Sequence, residues 1–264
     1  MKNIEPSCLF HLKRGEEIDG VKLKSVLAEY GIALVHVDFA DPEGLIMQKI
    51  VDDIGVINNH NVNSDSGLWH IKINEEVVDD TGRPIRSNTD AEFPMHTDCC
   101  FEDYPPRLFS LFVLQKDRLG GGKNRLVRSA DLLKKLSPAT VEILRKTNFT
   151  IRVPPGFKKY KESVTGPILT GEDLFRYRRD CVIDAHCTPD QLRAIFELEE
   201  ALVNNDEIVT DLYLDNGTLL ILDNARFLHA RDKILDRDRH LLRMRFHPKD
   251  NWLPFCEWKV EDKN

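Results

Sequence analysis

The stretch DNGTLLILDNARFLHARDKILDRDRHLLRMRF, residues 215–246, reads as two short apolar strands joined by a polar connection. Residues 218–222 and 241–246 are apolar runs of strand length, too short for a helix of ordinary size. Asp215-Asn216-Gly217 is a hairpin signal, because Asn and Gly accept the left-handed backbone that tight turns demand. Working outward, residues 32–39, 68–73, 107–113, 149–153, 174–178 and 208–214 read as further strands, separated by Gly, Asp and Asn turns. Many strands at short spacing with few helices between them predict a mainly β protein with flanking helices, built as a β-sandwich or jelly roll.

The helix signals are fewer. Val21, Leu23, Val26 and Leu27 predict an early helix ended by Gly31, and Asp41-Pro42 predicts a second that runs to about residue 53. Ser137-Pro138 opens another. Thr188-Pro189-Asp190-Gln191 is a capping box, with Leu192, Ile195, Phe196, Leu198 and Leu202 as the expected apolar stripe.

The chain has 264 residues, of which 41% are hydrophobic and 31% charged, which fits one globular domain spanning residues 1–264. Its net charge of −7 and the lack of a basic block argue against nucleic acid as a partner. Apolar runs fall far short of the roughly 20 residues of a membrane helix. Glu5 and Pro6 stand where a signal peptide would carry its apolar segment, so a cytoplasmic protein is expected. Cysteines at 8, 99, 100, 181, 187 and 256 show neither a CxxC pair nor zinc spacing, and are expected to be reduced thiols. The sequence leaves a homo-oligomer open.

Chemistry concentrates at Phe93-Pro94-Met95-His96-Thr97-Asp98. On an extended strand His96 and Asp98 leave the same face and can share one metal ion, with a third ligand from elsewhere. Two histidines and a carboxylate suit ferrous iron, holding one face of an octahedron and leaving three cis positions open. The spacing alone is weak evidence, since His36-Val37-Asp38 fits it too. That pair sits in an apolar strand before any partner segment and reads as a half-buried histidine and a strand-end aspartate.

Three motifs together are more specific: FPMHTD with the strand that follows Pro105-Pro106-Arg107; Gly120-Gly121-Gly122 with Leu126-Val127 and Ser129-Ala130; and the stretch from NARFLHAR to DRHLLR. With these, the chain from about Gly31 to Phe246 resembles the taurine dioxygenase and clavaminate synthase-like family of Fe(II)- and 2-oxoglutarate-dependent oxygenases. The resemblance implies a double-stranded β-helix core of jelly-roll, cupin-like form. It implies His96, Asp98 and His229 as iron ligands, with 2-oxoglutarate and O2 as cosubstrates. It places Arg239 on the distal carboxylate of 2-oxoglutarate, a role for which a planar guanidinium is suited. Arg243 would face cosubstrate or substrate.

The sequence departs from the family where an acidic residue and a threonine usually follow the paired glycines. Lys123 and Asn124 stand there; Asn124 can donate a comparable hydrogen bond, while Lys123 brings an extra cation. The interval from His229 to Arg239 is also short, which leaves His240 and Arg243 as alternatives for facing the cosubstrate.

Substrate-side candidates are Arg176 and Arg178, which strand alternation puts on one face, with a solvated strand face as the alternative. Trp69, His70 and Phe101 are candidates that could instead be core. The implied activity is hydroxylation of an unactivated C–H bond in a small polar substrate, amino-acid-like or carboxylate-bearing, with release of succinate and CO2. Desaturation or ring closure are alternatives within the same chemistry. A metal oxygenase without 2-oxoglutarate and a non-catalytic ligand-binding barrel are alternatives outside it. Asp98 argues against halogenation, because halogenating relatives leave that ligand position empty for chloride.

Overall fold

Asp19 starts the first helix: its carboxylate accepts the Val21 and Lys22 N–H groups, both at 3.0 Å. This helix, α1 (Gly20–Tyr30), buries Leu23, Val26 and Leu27 and ends where the Gly31 N–H reaches the Leu27 carbonyl. The computed structural model describes residues 4–58, 67–79, 81–157 and 161–253. Asp41 also caps a helix, accepting from Leu45 N and Ile46 N at 2.9 Å each. That helix, α2 (Leu45–Ile54), begins later than Asp41-Pro42 suggests, because Gly44 at φ 64 turns the chain first. A Cβ on Gly44 would meet the Leu242 side chain at 2.5 Å, so glycine is required there.

The strands in chain order are β1 (Leu9–Leu12), β2 (Ile32–Val37), β3 (Gly55–Ile57), β4 (Trp69–Lys72), β5 (Phe93–His96), β6 (Leu108–Gln115), β7 (Asn124–Arg128), β8 (Phe149–Arg152), β9 (Ser163–Gly166), β10 (Leu169–Thr170), β11 (Leu174–Phe175), β12 (Val209–Leu212), β13 (Thr218–Asp223), β14 (Phe227–Arg231) and β15 (His240–Pro248). Among the described residues, seven strands form one sheet in the order β1-β2-β13-β6-β15-β3, with β4 also on β15. Four form a second in the order β12-β7-β14-β5. The fold is therefore mainly β with helices. The two sheets face each other, since Phe109 of β6 touches the His229 ring of β14 with centroids 4.6 Å apart. Helices α1 and α2 cover the larger sheet over an apolar layer that includes Leu27, Met47, Leu242 and Phe246. A second apolar layer joins Leu228 and Val127 of the smaller sheet to Leu144 of α4 (Pro138–Lys146) and Leu198 of α5 (Pro189–Asn204), with the short α3 (Ser129–Leu133) beside it.

Two expectations fail here. Asp215-Asn216-Gly217 makes a turn, with Thr218 N donating to Asp215 O at 3.1 Å, but not a hairpin. Strand β12 pairs with β7 in one sheet while β13 pairs with β2 and β6 in the other. The turn carries the chain between layers. The stripe expected on α5 is rotated in part: Ile195 and Leu198 are buried and Leu202 packs against the core as expected, but Gln191, Ala194 and Ala201 are also buried, whereas Phe196 is 65% exposed and Leu192 38% exposed. The capping box is present as expected. The Gln191 side chain is also tied to Thr147 Oγ1 and Asn148 O at 3.0 Å, and this fixes which face turns inward.

Candidate active site

Antiparallel pairing of β5 with β14 sets His96 directly opposite His229, so both rings leave the same face. Asp98 follows two residues after His96. Asp98 Oδ1 lies 3.4 Å from His96 Nε2 and 3.8 Å from His229 Nε2. The three ligand atoms stand within 4.8 Å of one another, the only such cluster among the described residues. Donors that are cis around an ion at about 2.1 Å would stand about 3 Å apart, so small side-chain movements close this set on one metal. The His96 Nδ1–H donates to the Pro94 carbonyl at 2.8 Å, which turns the Nε2 lone pair toward the other two ligands. Burial, with His229 beside it, pushes His96 down to about 4, so the ring is neutral near pH 7. Burial opposes ionisation of Asp98, but Arg245 and Arg243 outweigh it and hold the carboxyl well below its usual range.

Behind this triad the interior is cationic. Arg231, Arg239 and Arg243 are buried, and burial pushes each down to about 10. Arg231 Nε, Arg239 Nη1, Arg243 Nε, Trp69 Nε1 and His229 Nδ1 have no hydrogen-bond partner among the described residues. Each buried donor left so costs roughly 1–3 kcal/mol unless a ligand or water satisfies it. A dicarboxylate fits that donor set, and iron fits two imidazoles and a carboxylate.

The expected residues distribute unevenly. Arg239 packs against the glycine turn, its Nη2 3.4 Å from Gly122 O. A Cβ on Gly122, at φ 62, would stand 2.7 Å from Arg239 Nε, so this glycine makes room for the arginine. Asn124 lies opposite Arg231 in the ladder and so shares its face. Lys123 turns away to Asp211 and Asp232, at 2.9 and 3.4 Å, and adds no cation to the cleft. Trp69 lies opposite Arg243.

A cavity of about 490 Å³ opens over His96 and Asp98 and is lined also by Phe101, Arg178, Arg243 and Arg245 among others. Arg178 is bound there by Asp180 through two hydrogen bonds of 2.7 and 2.6 Å. Arg176 does not share that face. The strand ends at Phe175, and Arg176 turns into the protein, donating to the Cys100 and Glu102 carbonyls. His70 also stays out of the cavity: its Nδ1 pairs with His240 Nε2 at 2.9 Å on the outer face of β4 and β15, which removes His240 from the cleft as well. The rival pair is separate too, since His36 packs on His11 with ring centroids 5.8 Å apart. Cys8, Cys99, Cys100, Cys181 and Cys187 are free thiols, and burial pushes Cys99 up to about 12; Cys256 lies outside the described residues.

Two further residues hold the site and are not singled out by the sequence. Asn224 Oδ1 accepts from Asp98 N at 2.7 Å, and its Nδ2 donates to the Asp98 and Pro106 carbonyls at 2.9 Å. Its partner is 126 residues away, so no local pattern marks it. Arg245 Nε donates to Asp98 Oδ2 at 2.7 Å. Strand alternation from Arg243 would have found it.

The fold resembles that of several solved structures. An asparagine oxygenase in complex with Fe(II), 3-hydroxyasparagine and succinate superposes with a TM-score of 0.67 at 18% identity, over 87% of this chain and 78% of that one. The non-heme iron oxygenase OrfP, in complex with Fe and α-ketoglutaric acid, gives 0.69 at 18% identity, over 87% and 80%. PvcB from Pseudomonas aeruginosa gives 0.64 at 15%, over 92% and 87%. At these identities the likeness concerns the fold. No curated protein sequence matches the chain. The profile of the taurine catabolism dioxygenase TauD, TfdA family matches residues 10–245, nearly the whole chain. On that match the chain belongs to the TauD/TfdA family and is a 2-oxoglutarate-dependent non-haem iron oxygenase.

Proposed function

We propose that the chain is one catalytic domain over residues 1–264 whose facing sheets close as a double-stranded β-helix of jelly-roll, cupin-like form. It hydroxylates an unactivated C–H bond of a small amino-acid-like or carboxylate-bearing molecule. His96, Asp98 and His229 hold Fe(II), which when bound supplies the redox chemistry that couples 2-oxoglutarate and O2 consumption to C–H oxidation. Arg239 grips the distal carboxylate of 2-oxoglutarate, Asn124 and Trp69 donate beside it, and Arg243 stands between cosubstrate and substrate. Burial of these donors before the ligand arrives orients it without reorganisation.

The observation that carries this reading is the triad set against buried arginines with unpaired N–H groups. The cavity carries Arg83, Arg86, Arg152, Arg178, Arg243 and Arg245 against Asp79, Asp98 and Asp180, an excess of cations in a chain of net charge −7. That balance favours a substrate with a carboxylate, received by Arg178 and Arg243, while Phe101 supplies an apolar wall. Support comes from fold neighbours that bind amino-acid products: the asparagine oxygenase holds 3-hydroxyasparagine, and OrfP holds (3S)-hydroxy-L-Arg. The partner proposed is a small molecule, with neither nucleic acid nor membrane involved, and the location proposed is the cytoplasm. No helix among the described residues is long and apolar enough to cross a membrane.

The test is anaerobic titration of the metal-free protein with Fe(II) and 2-oxoglutarate, followed by O2 uptake across a panel of L-amino acids with mass spectrometry of the product. One Fe(II) per chain, a visible band that needs both additions, and a product heavier by one oxygen are expected. His96→Ala and His229→Ala should abolish all three. Full metal affinity and turnover in both variants would remove the assignment.

A further inference from the structure

We propose that Arg245 is a positioning residue of the metal centre: by occupying one oxygen of Asp98 it presents the other oxygen alone to the metal. The inference rests on the triad reading above. It starts from how little freedom Asp98 has. Its backbone N–H and carbonyl are both held by the one Asn224 side chain, at 2.7 and 2.9 Å, so the main chain cannot shift toward or away from the histidines. What remains free is rotation of the carboxylate about its own bonds.

The two carboxylate oxygens have different surroundings. Oδ1 faces the two Nε2 atoms at 3.4 and 3.8 Å. Oδ2 faces away, toward β15, where Arg245 Nε donates at 2.7 Å. Arg243 lies near the same oxygen, but its Nη1 is 3.5 Å away, too far for a strong bond. Arg245 is therefore the group that fixes the rotation. A carboxylate without such a donor can swing both oxygens onto a metal. Three protein donors leave three of six positions open, whereas a fourth would leave two, too few for a chelating cosubstrate and oxygen together. Arg245 also lines the cavity beside Arg243, so the residue that orients the ligand sits where an anionic substrate group arrives.

The experiment uses the full chain with Mn(II) and Co(II) in Arg245→Met, Arg245→Lys and His229→Ala, with circular dichroism as the check on folding. Partners that orient a metal ligand typically contribute 10- to 100-fold to metal affinity. Arg245→Met should alter the visible band of the Co(II) protein, because a second Asp98 oxygen then reaches the metal, shift Mn(II) affinity away from the wild-type value, and weaken 2-oxoglutarate binding to the Mn(II) form by about that factor. Arg245→Lys should recover part of each, because an ammonium can donate to Oδ2 without the planar fork. If Arg245→Met fails to fold, Arg245→Lys decides by the same readouts. A folded variant with wild-type Mn(II) affinity and an unchanged Co(II) band would overturn the proposal, provided His229→Ala has lost its metal. Retention of metal by His229→Ala would instead overturn the triad.

Discussion

Asp223 and Asp98 are both buried carboxylates with two arginines at hand, and they are treated oppositely. Asp223, at the end of β13, has both oxygens filled. Arg107 donates to them through two bonds of 2.9 and 2.8 Å, Arg226 Nε adds one of 2.9 Å, and Ala225 N adds one of 3.1 Å. Asp98 has Oδ2 held by Arg245, and its other oxygen faces the Nε2 atoms of His96 and His229. The same contrast runs through the cations. Arg107 is spent on Asp223, whereas Arg231, Arg239 and Arg243 retain unpaired N–H groups. The filled carboxylate serves the fold, and the partly unpaired cations are the ones proposed above to await a ligand.

Asp223→Ala tests the first half. Removing one partner from a buried pair typically costs about 3–5 kcal/mol, because the remaining charge is left desolvated. For a domain of this size that is a fall in melting temperature of roughly 6–20 °C, read by calorimetry on the metal-free protein. A change under about 1 kcal/mol would mean that Arg107 and Arg226 find other partners, and the contrast would fail.

Arg239→Ala tests the second half with the opposite signature. Burial outweighs the pull of Asp117 on Arg239, and no carboxylate hydrogen-bonds to it among the described residues, so its removal should leave the melting temperature unchanged or raised. Affinity for 2-oxoglutarate should fall by several hundred-fold or more, from the same roughly 3–5 kcal/mol now expressed in binding. Arg239→Lys should recover only part, and Arg243→Ala should mainly weaken substrate binding. If Arg243→Ala abolishes cosubstrate binding while Arg239→Ala does not, the two roles are exchanged.

Arg231 stands between the classes and gives a smaller, mixed effect. It donates to the Thr89 and Ala91 carbonyls, while its Nε is unpaired beside Arg239 and Arg243. Arg231→Gln should therefore lower both stability, by about 1–2 kcal/mol, and 2-oxoglutarate affinity, by about tenfold. Loss of one without the other would assign it wholly to fold or wholly to ligand.

Much of this was legible in the sequence where the deciding physics is local. Thr218 to Leu222 and Leu241 to Phe246 are strands because short apolar runs between turns have few alternatives, and Thr188 with Gln191 caps a helix because the bonds lie within one turn. His96 and Asp98 share a face for the same reason. What was not legible depends on distant partners. The Asp215–Gly217 turn gives no sign of which sheet each flanking strand joins. The rotation of α5 is fixed by Thr147 and Asn148, over 40 residues earlier. Arg176 and Arg178 differ because the strand ends before them, and Asn224 acts on a residue far along the chain.

The smallest effect expected is at His36, where the spacing of the metal pair recurs without its surroundings. His36 lies on β2 between Thr218 of β13 and His11 of β1, and Asp38 beyond it is exposed. No third donor converges on it among the described residues. A histidine and an aspartate two apart are thus no metal site until a neighbouring strand brings a further ligand and burial removes water. His36→Gln keeps a polar side chain of similar reach, so stability should change by less than about 1 kcal/mol. The Fe(II) stoichiometry and the 2-oxoglutarate requirement should not move. A folded His36→Gln protein that has lost its iron would shift the centre to β2, and the orphaned arginines behind His96 and His229 would then need another explanation.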